Sequence, residues 1–387
     1  LPLRTANVLS GFALLLLPVT LTIPGFISSA HADVSFEFGT NGGYTDNLFT
    51  DSTRLSDRHV TNTAAIKFYP VSWLEGSLSG ELCNYGELPS LSSRIGRVGL
   101  TAIPLGRDTK LSLTLSGSFD GRRYHRDFGQ YDNNNASARV AIGYRLHRNL
   151  SCRVGVSGQT MSYLSSESGD KQTAEFFTGV NVTLLTNNSL DIELGYGVAD
   201  YKWIDTTKTF MGFIDIDDPE SVLSDGTLRS YYISPRFSRP LGSKTGLSVT
   251  FSYRDLEHDE PAIVMASSIG LLSPWTTVWE GTSVTATVKT YAIKNLTITS
   301  GIGYWNKTFL LTNNPSAYPA VYYPKRPLVS RDDDQERVFL QIVRPFVLWH
   351  DGSLQPRIIL DYTHCNSTNK LFEYSGLSLE TGINLKF

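Results

Sequence analysis

The chain predicts an all-β fold: a transmembrane antiparallel up-and-down β-barrel of about 16 strands (14–18 at the limits), with short turns at one end and long loops at the other. Three observations carry this expectation. The C-terminal segment 374–387 alternates apolar and polar residues down to the final Phe387. Segments of the same period recur from Asp33 onward, and the connections between them alternate between short and long. A period of two means a strand whose two faces meet different surroundings.

Counting back from the end, Phe387, Leu385, Ile383, Thr381, Leu379 and Leu377 share one face. Lys386, Asn384, Gly382, Glu380, Ser378 and Gly376 share the other. The same alternation places strands at 33–45, 60–70, 74–87, 93–103, 110–124, 135–146, 150–163, 173–185, 190–203, 228–239, 246–257, 282–292, 296–308, 336–348, 354–365 and 374–387. Leu111, Leu113, Leu115 and Phe119 face opposite to Ser112, Thr114, Ser116 and Asp120. Leu247, Val249, Phe251 and Tyr253 face opposite to Ser248, Thr250, Ser252 and Arg254. The first, tenth and fourteenth strands fit less cleanly, and Pro235 and Pro345 remove donors from the last two.

Every second connection is short and rich in turn residues, as at Val71-Ser72, His147-Arg148, Asn187-Asn188 and Lys294-Asn295. The others are longer, the longest being 204–227, 258–281 and 309–335. No apolar run after residue 32 is long enough for a membrane helix, the longest being 262–272. Strands can cross hydrocarbon only as a closed barrel, because every backbone donor and acceptor needs an internal partner. The loop asymmetry predicts periplasmic turns and extracellular loops. Aromatics cluster at strand ends: Tyr69, Trp73, Tyr144, Phe237, Tyr291, Phe346, Trp349 and Phe387 toward the turns, Tyr85, Tyr124, Tyr163, Trp203, Tyr253, Trp305 and Tyr362 toward the loops. Both sets are expected at the membrane interfaces.

Residues 1–32 read as a secretory signal peptide, with Arg4, an apolar stretch 8–17, and Ala30-His-Ala32 as the cleavage site, leaving 33–387 as the barrel. Of 34 Lys and Arg and 37 Asp and Glu, only Arg4 is lost, so the mature part carries 33 against 37, a net −4. That balance is too mild to suggest nucleic acid. The three cysteines, Cys83, Cys152 and Cys365, form no disulfide framework, and neither haem nor zinc spacing occurs. No cofactor and no metal is expected.

Strand spacing and tilt give a sixteen-strand barrel a backbone diameter of about 30 Å, too wide for inward side chains to fill. The inward face carries Lys67, Arg97, Lys110, Arg122, Arg139, Arg145, Arg153, Arg236, Arg254, Lys289 and Arg357. Acidic residues on it include Glu37, Glu75, Glu81, Asp120, Glu175, Asp191, Glu193, Asp361 and Glu380. These charges are expected to line the pore, since a mid-bilayer Arg on the lipid face costs about 2–4 kcal/mol. The group Arg97, Arg139, Arg145 and Arg153 is open to two readings: one half of a transverse field opposed by Asp191 and Glu193, or a set of local salt bridges.

The terminal Phe387 resembles the C-terminal signature of bacterial outer-membrane barrels, whose last aromatic is read by the barrel-assembly machinery. Strand number, Phe387 and turn asymmetry together resemble the sixteen-stranded porins across the whole mature chain. The resemblance implies a place in the Gram-negative outer membrane, among lipid and lipopolysaccharide, and passive diffusion of small hydrophilic solutes. General porins of this size are often trimers, so the resemblance leaves a homo-oligomer open without fixing the oligomeric state. The third loop departs from the general porins: it is short, centred on Arg126-Asp-Phe-Gly-Gln-Tyr-Asp-Asn-Asn134, so any constriction must come from elsewhere. The rival reading is a barrel component or scaffold of a conduit, for polysaccharide export or around an electron carrier. A scaffold conducts poorly without its partner, whereas a porin conducts alone. Some outer-membrane barrels are enzymes, and Asp255 with His258 or Asp361 with His364 are the candidate acid–histidine pairs here. Neither stands in a recognisable motif, so no catalytic residue is assigned and the chain reads as a non-enzyme. The carboxylate runs Asp215-Ile-Asp-Asp-Pro-Glu220 and Arg331-Asp-Asp-Asp334 read as solvated loops.

Overall fold

A computed structural model describes residues 33–48, 55–105, 109–164, 170–184, 187–204, 223–258, 279–313, 328–348 and 352–387. Residues 1–32, expected to be a signal peptide, lie outside them, as do most of the three longest loops, including 215–220. The described chain is strand almost throughout. In order these are β1 (Asp33–Thr45), β2 (Asp57–Val71), β3 (Leu74–Tyr85), β4 (Ser93–Ala102), β5 (Leu111–Tyr124), β6 (Asn133–His147), β7 (Leu150–Tyr163) and β8 (Lys171–Thr183). They continue as β9 (Ser189–Ile204), β10 (Leu223–Pro240), β11 (Thr245–His258), β12 (Glu280–Thr290), β13 (Thr297–Asn313), β14 (Leu328–Val343), β15 (Ser353–Ser367) and β16 (Tyr374–Lys386). A two-residue pairing at Phe346–Val347 prolongs β14 along β15 past Pro345.

Each strand pairs antiparallel with the next, and β16 returns to pair with β1, so the sheet closes. The closing register runs from Glu37 opposite Lys386 to Thr45 opposite Ser378. Beyond the last strand residue, the Phe387 N–H donates to the Phe36 carbonyl at 2.9 Å and the Phe36 N–H donates back to the Phe387 carbonyl at 3.0 Å. The terminal residue is therefore a rung of the seam.

Which face is which follows from parity. Side chains that would form the core of a soluble protein stand exposed on the outside: Val98 is 53% exposed, Phe119 49%, Ile302 61% and Val338 53%. A continuous belt of such residues is a lipid-facing surface. The odd positions of β4 and the even positions of β5 face inward instead, carrying Arg97, Ser116, Ser118 and Asp120. Polar groups inside and hydrocarbon outside make this a transmembrane barrel of the bacterial outer-membrane type.

The expected strand limits coincide with the observed ones at both ends of β1 and β7. The largest displacement is in β14, expected at 336–348 and found at Leu328–Val343. Arg331 to Asp334 reads as a solvated loop by composition, yet its backbone is fully paired with β13, where Asp332 opposes Thr308. The acids alternate between the two faces here, which a run of charge conceals. Pro345 then ends regular pairing where the sequence reading continues it. At Pro235 the ladder from β10 to β11 lapses for two residues and Ser234 Oγ meets Ser252 Oγ at 3.0 Å instead.

Replacing Ile302, in the middle of the outward belt, by Arg should destabilise the barrel by about 2–4 kcal/mol, while Arg at the inward Ser157 should cost far less. Urea unfolding of the two variants in phospholipid vesicles checks the assignment of faces.

Candidate functional site: the inner wall

The inner wall is the surface a solute would meet. Strand parity turns Lys67, Arg97, Arg122, Arg139, Arg145 and Arg153 inward on β2 to β7. It does the same for Asp191, Glu193, Arg236, Arg254, Lys289, Arg357 and Asp361 on β9 to β15. Lys110 sits in the turn just before β5, its carbonyl accepting the Arg145 N–H at 2.7 Å. Several of these wall residues are knit together.

The densest knot lies on β6 to β10. Arg153 donates two parallel hydrogen bonds to Asp191, both at 2.7 Å, and two more to Glu193 at 3.0 and 3.3 Å. Fork-to-fork pairing of this kind is the strongest arrangement open to an Arg and a carboxylate. Asn181 adds a bond to Asp191 at 3.2 Å, and the Tyr232 hydroxyl lies 3.0 Å from both Glu175 and Glu193. Arg139 approaches Glu193 at 3.9 Å and covers the ring of Phe177 at 3.9 Å from its centroid. Asp191 and Glu193 thus sit only two strands from Arg153 and close a local network with it, instead of facing it across the lumen.

Glycines make this packing fit. Gly155, Phe177, Gly195 and Tyr232 stand opposite one another in turn across β7 to β10. Phe177 lies flat over Gly155, fully buried, where a Cβ would come within 2.3 Å of its ring. Tyr232 lies over Gly195, where a Cβ would come within 2.0 Å. Without side chains at the glycines, these two aromatics fold against the wall.

Between this knot and β3 to β5 the inner wall forms a hollow of about 710 Å³. Arg97, Arg139, Lys171 and Arg254 reach it, with Glu75 and Glu175 as its acids and several serines between them. Elsewhere Lys67 and Lys386 share Glu37 at 3.6 and 3.7 Å, and Arg337 pairs with Asp361. Arg357 reaches Asn41 at 3.0 Å over Gly382.

Four aromatics expected at the loop-side interface belong to the inner face instead. Tyr85, Tyr124 and Tyr163 share parity with inward residues, and Arg122 donates to the Tyr124 hydroxyl at 3.2 Å. Trp305 lies inward over Gly303, with Lys307 near its ring. Nearness to a strand end does not decide the face; parity does. The loop-side lipid interface is marked by Tyr44, Tyr196, Tyr231, Tyr253, Tyr304 and Tyr362, all outward and exposed. Only Tyr253 and Tyr362 of these were expected there.

Composition could not reveal Arg331, held between the rings of Phe309 and Phe372 at 3.6 and 3.8 Å and paired with Asp333 at 3.1 Å. The acid–histidine pairing considered for Asp361 and His364 does not form. Residues three apart on a strand fall on opposite faces, and Asp361 is engaged by Arg337. Asp255 and His258 have the same spacing on β11. Among the described residues no three His, Cys, Asp or Glu side chains converge as metal ligands, and the three cysteines are unpaired.

No protein-family model matches the chain, and no curated protein resembles it in sequence. Solved structures similar to it include OprD of Pseudomonas aeruginosa, 11% identical, covering 94% of this chain and 98% of that one at a TM-score of 0.47. OprB of Pseudomonas putida is 10% identical, with 92% and 94% covered and a TM-score of 0.48. OccAB1 of Acinetobacter baumannii is 9% identical, with 92% and 97% covered and a TM-score of 0.46. With overlaps this loose, the roles of individual residues come from the barrel's own geometry.

Substituting Arg153 by Ala strands Asp191 and Glu193 on the wall with only the longer contact from Arg139. In a planar bilayer with a salt gradient, the reversal potential of R153A should move toward cation preference relative to the parent.

Proposed function

We propose that the protein is a porin-like outer-membrane channel that lets small hydrophilic solutes diffuse passively, with a mild preference for anions. The observation that carries this reading is the inner wall: it is polar and charged on a barrel about 30 Å across, and Phe177, Tyr232 and Trp305 lie flat over its glycines. A surface of that kind is stable only against water. The four cations against two carboxylates in the hollow support the anion preference. On this reading the two-residue links at 72–73 and 148–149 are periplasmic turns, and the long connections at 205–222 and 259–279 are extracellular. Phe387, placed in the closing seam, is the signal read by the assembly machinery. Residues 1–32 direct export and are removed. No enzymatic role is assigned.

Proteoliposomes holding the purified barrel test this by swelling in iso-osmotic solutes. Arabinose should enter rapidly, and larger sugars progressively more slowly. Replacing Arg97 and Arg139 together by Gln should slow entry of gluconate more than entry of arabinose. A folded barrel through which no solute of any size passes would favour the rival reading, a conduit whose lumen is filled by a partner.

A further inference from the structure

The lipid-facing wall is not uniform. Outward tyrosines mark its loop-side half on β1 and on β9 to β15. Among the described residues no outward tyrosine occupies the loop-side ends of β2 to β6. Three arginines stand there instead, Arg58 on β2, Arg94 on β4 and Arg123 on β5, and the last two are neighbours. Arg94 on β4 and Arg123 on β5 face outward and are direct cross-strand partners, each one residue in from the loop end of its strand. Arg123 donates at 2.8 Å to the carbonyls of Arg122 and Asn133 and to the Asn134 side chain, all neutral acceptors. Among the described residues neither Arg94 nor Arg123 has a carboxylate partner.

Below them the wall is hollowed. Ala64, Gly80, Gly96 and Gly121 follow one another along a single cross-strand line from β2 to β5, all on the outer face. A side chain added at Gly96 would meet nothing within 4 Å. Leu78, Leu82, Val98 and Phe119 border this floor, and the groove they enclose measures about 1350 Å³. An apolar trough ending in two adjacent, uncompensated guanidinium groups matches one ligand chemistry: acyl chains joined to a phosphate.

We propose that this groove holds an anionic lipid, its phosphate bridging Arg94 and Arg123 and its chains lying along the glycine floor. Guanidinium forks take phosphate oxygens in pairs, and basic groups at the hydrocarbon boundary recruit anionic head groups. A second copy of the chain fits less well. Symmetric packing on this face would bring the Arg94 and Arg123 pairs of two copies together, and among the described residues the acid lining the groove, Glu81, belongs to the inner face.

Native mass spectrometry of the delipidated barrel, with added diphosphoryl lipid A as the probe, tests the site. One lipid should remain bound, and the same lipid stripped of its phosphates should bind at least about tenfold more weakly. R94Q/R123Q should lose affinity for the phosphorylated lipid by a similar factor. G96L, which fills the trough and leaves the charges in place, should do the same. Heat-modifiable gel mobility, unchanged from the parent, shows that each variant folds. Equal binding by parent and both variants, equal binding of the phosphate-free lipid, or no retained lipid overturns the proposal. A dimer that G96L dissociates overturns it too, and assigns the face to a second copy.

Discussion

Everything in this barrel depends on satisfying the backbone in hydrocarbon. An unpaired N–H or C=O in the bilayer core costs several kcal/mol, so a sheet that spans the membrane cannot have an edge. The chain meets this at the seam between β1 and β16, where nine residue pairs from Glu37–Lys386 to Thr45–Ser378 stand opposite each other. The reciprocal bonds between Phe36 and Phe387 complete it at the last residue. Shortening the C-terminus by one residue would open two backbone groups at that point.

Closure imposes a strict inside and outside, and the rest of the chemistry follows from that division. Outward positions carry residues that no soluble fold would expose, such as Ile302 and Val98. Inward positions carry charges that must be either solvated or paired. Around Arg153 they are paired, through Asp191, Glu193, Tyr232 and Glu175. Since such networks sit at a low-dielectric wall, each member is held in one arrangement by its neighbours. The glycines at 155 and 195 have a complementary part. They let Phe177 and Tyr232 recline on the wall, so that bulky inward residues pack along the sheet.

Much of this was legible in the sequence, because a period of two survives in almost every strand and needs no knowledge of partners. All the strands could be placed, and the faces of Arg139, Arg153 and Glu193 followed from counting alone. Two kinds of feature were not legible. Where charge and proline dominate, as at Arg331 to Asp334 and Pro345, composition imitates a loop and the strand limits shift. Contacts between strands depend on register, which counting along one strand does not supply. So the reach of Arg153 to Asp191, the bed of Phe177 on Gly155 and the ring sandwich around Arg331 emerge only from the paired sheet. The aromatics show the same limit. Tyr85, Tyr124, Tyr163 and Trp305 lie near the expected level but on the inner face, since membrane depth and face are separate properties of a strand residue.

The central claim is that the space enclosed by this wall is an open aqueous path. Single-channel recording of the purified barrel in a planar bilayer addresses it most directly. Stable steps of nanosiemens order, with a reversal potential on the anion side in a salt gradient, are the predicted result. A correctly folded, heat-modifiable barrel that remains electrically silent would contradict it.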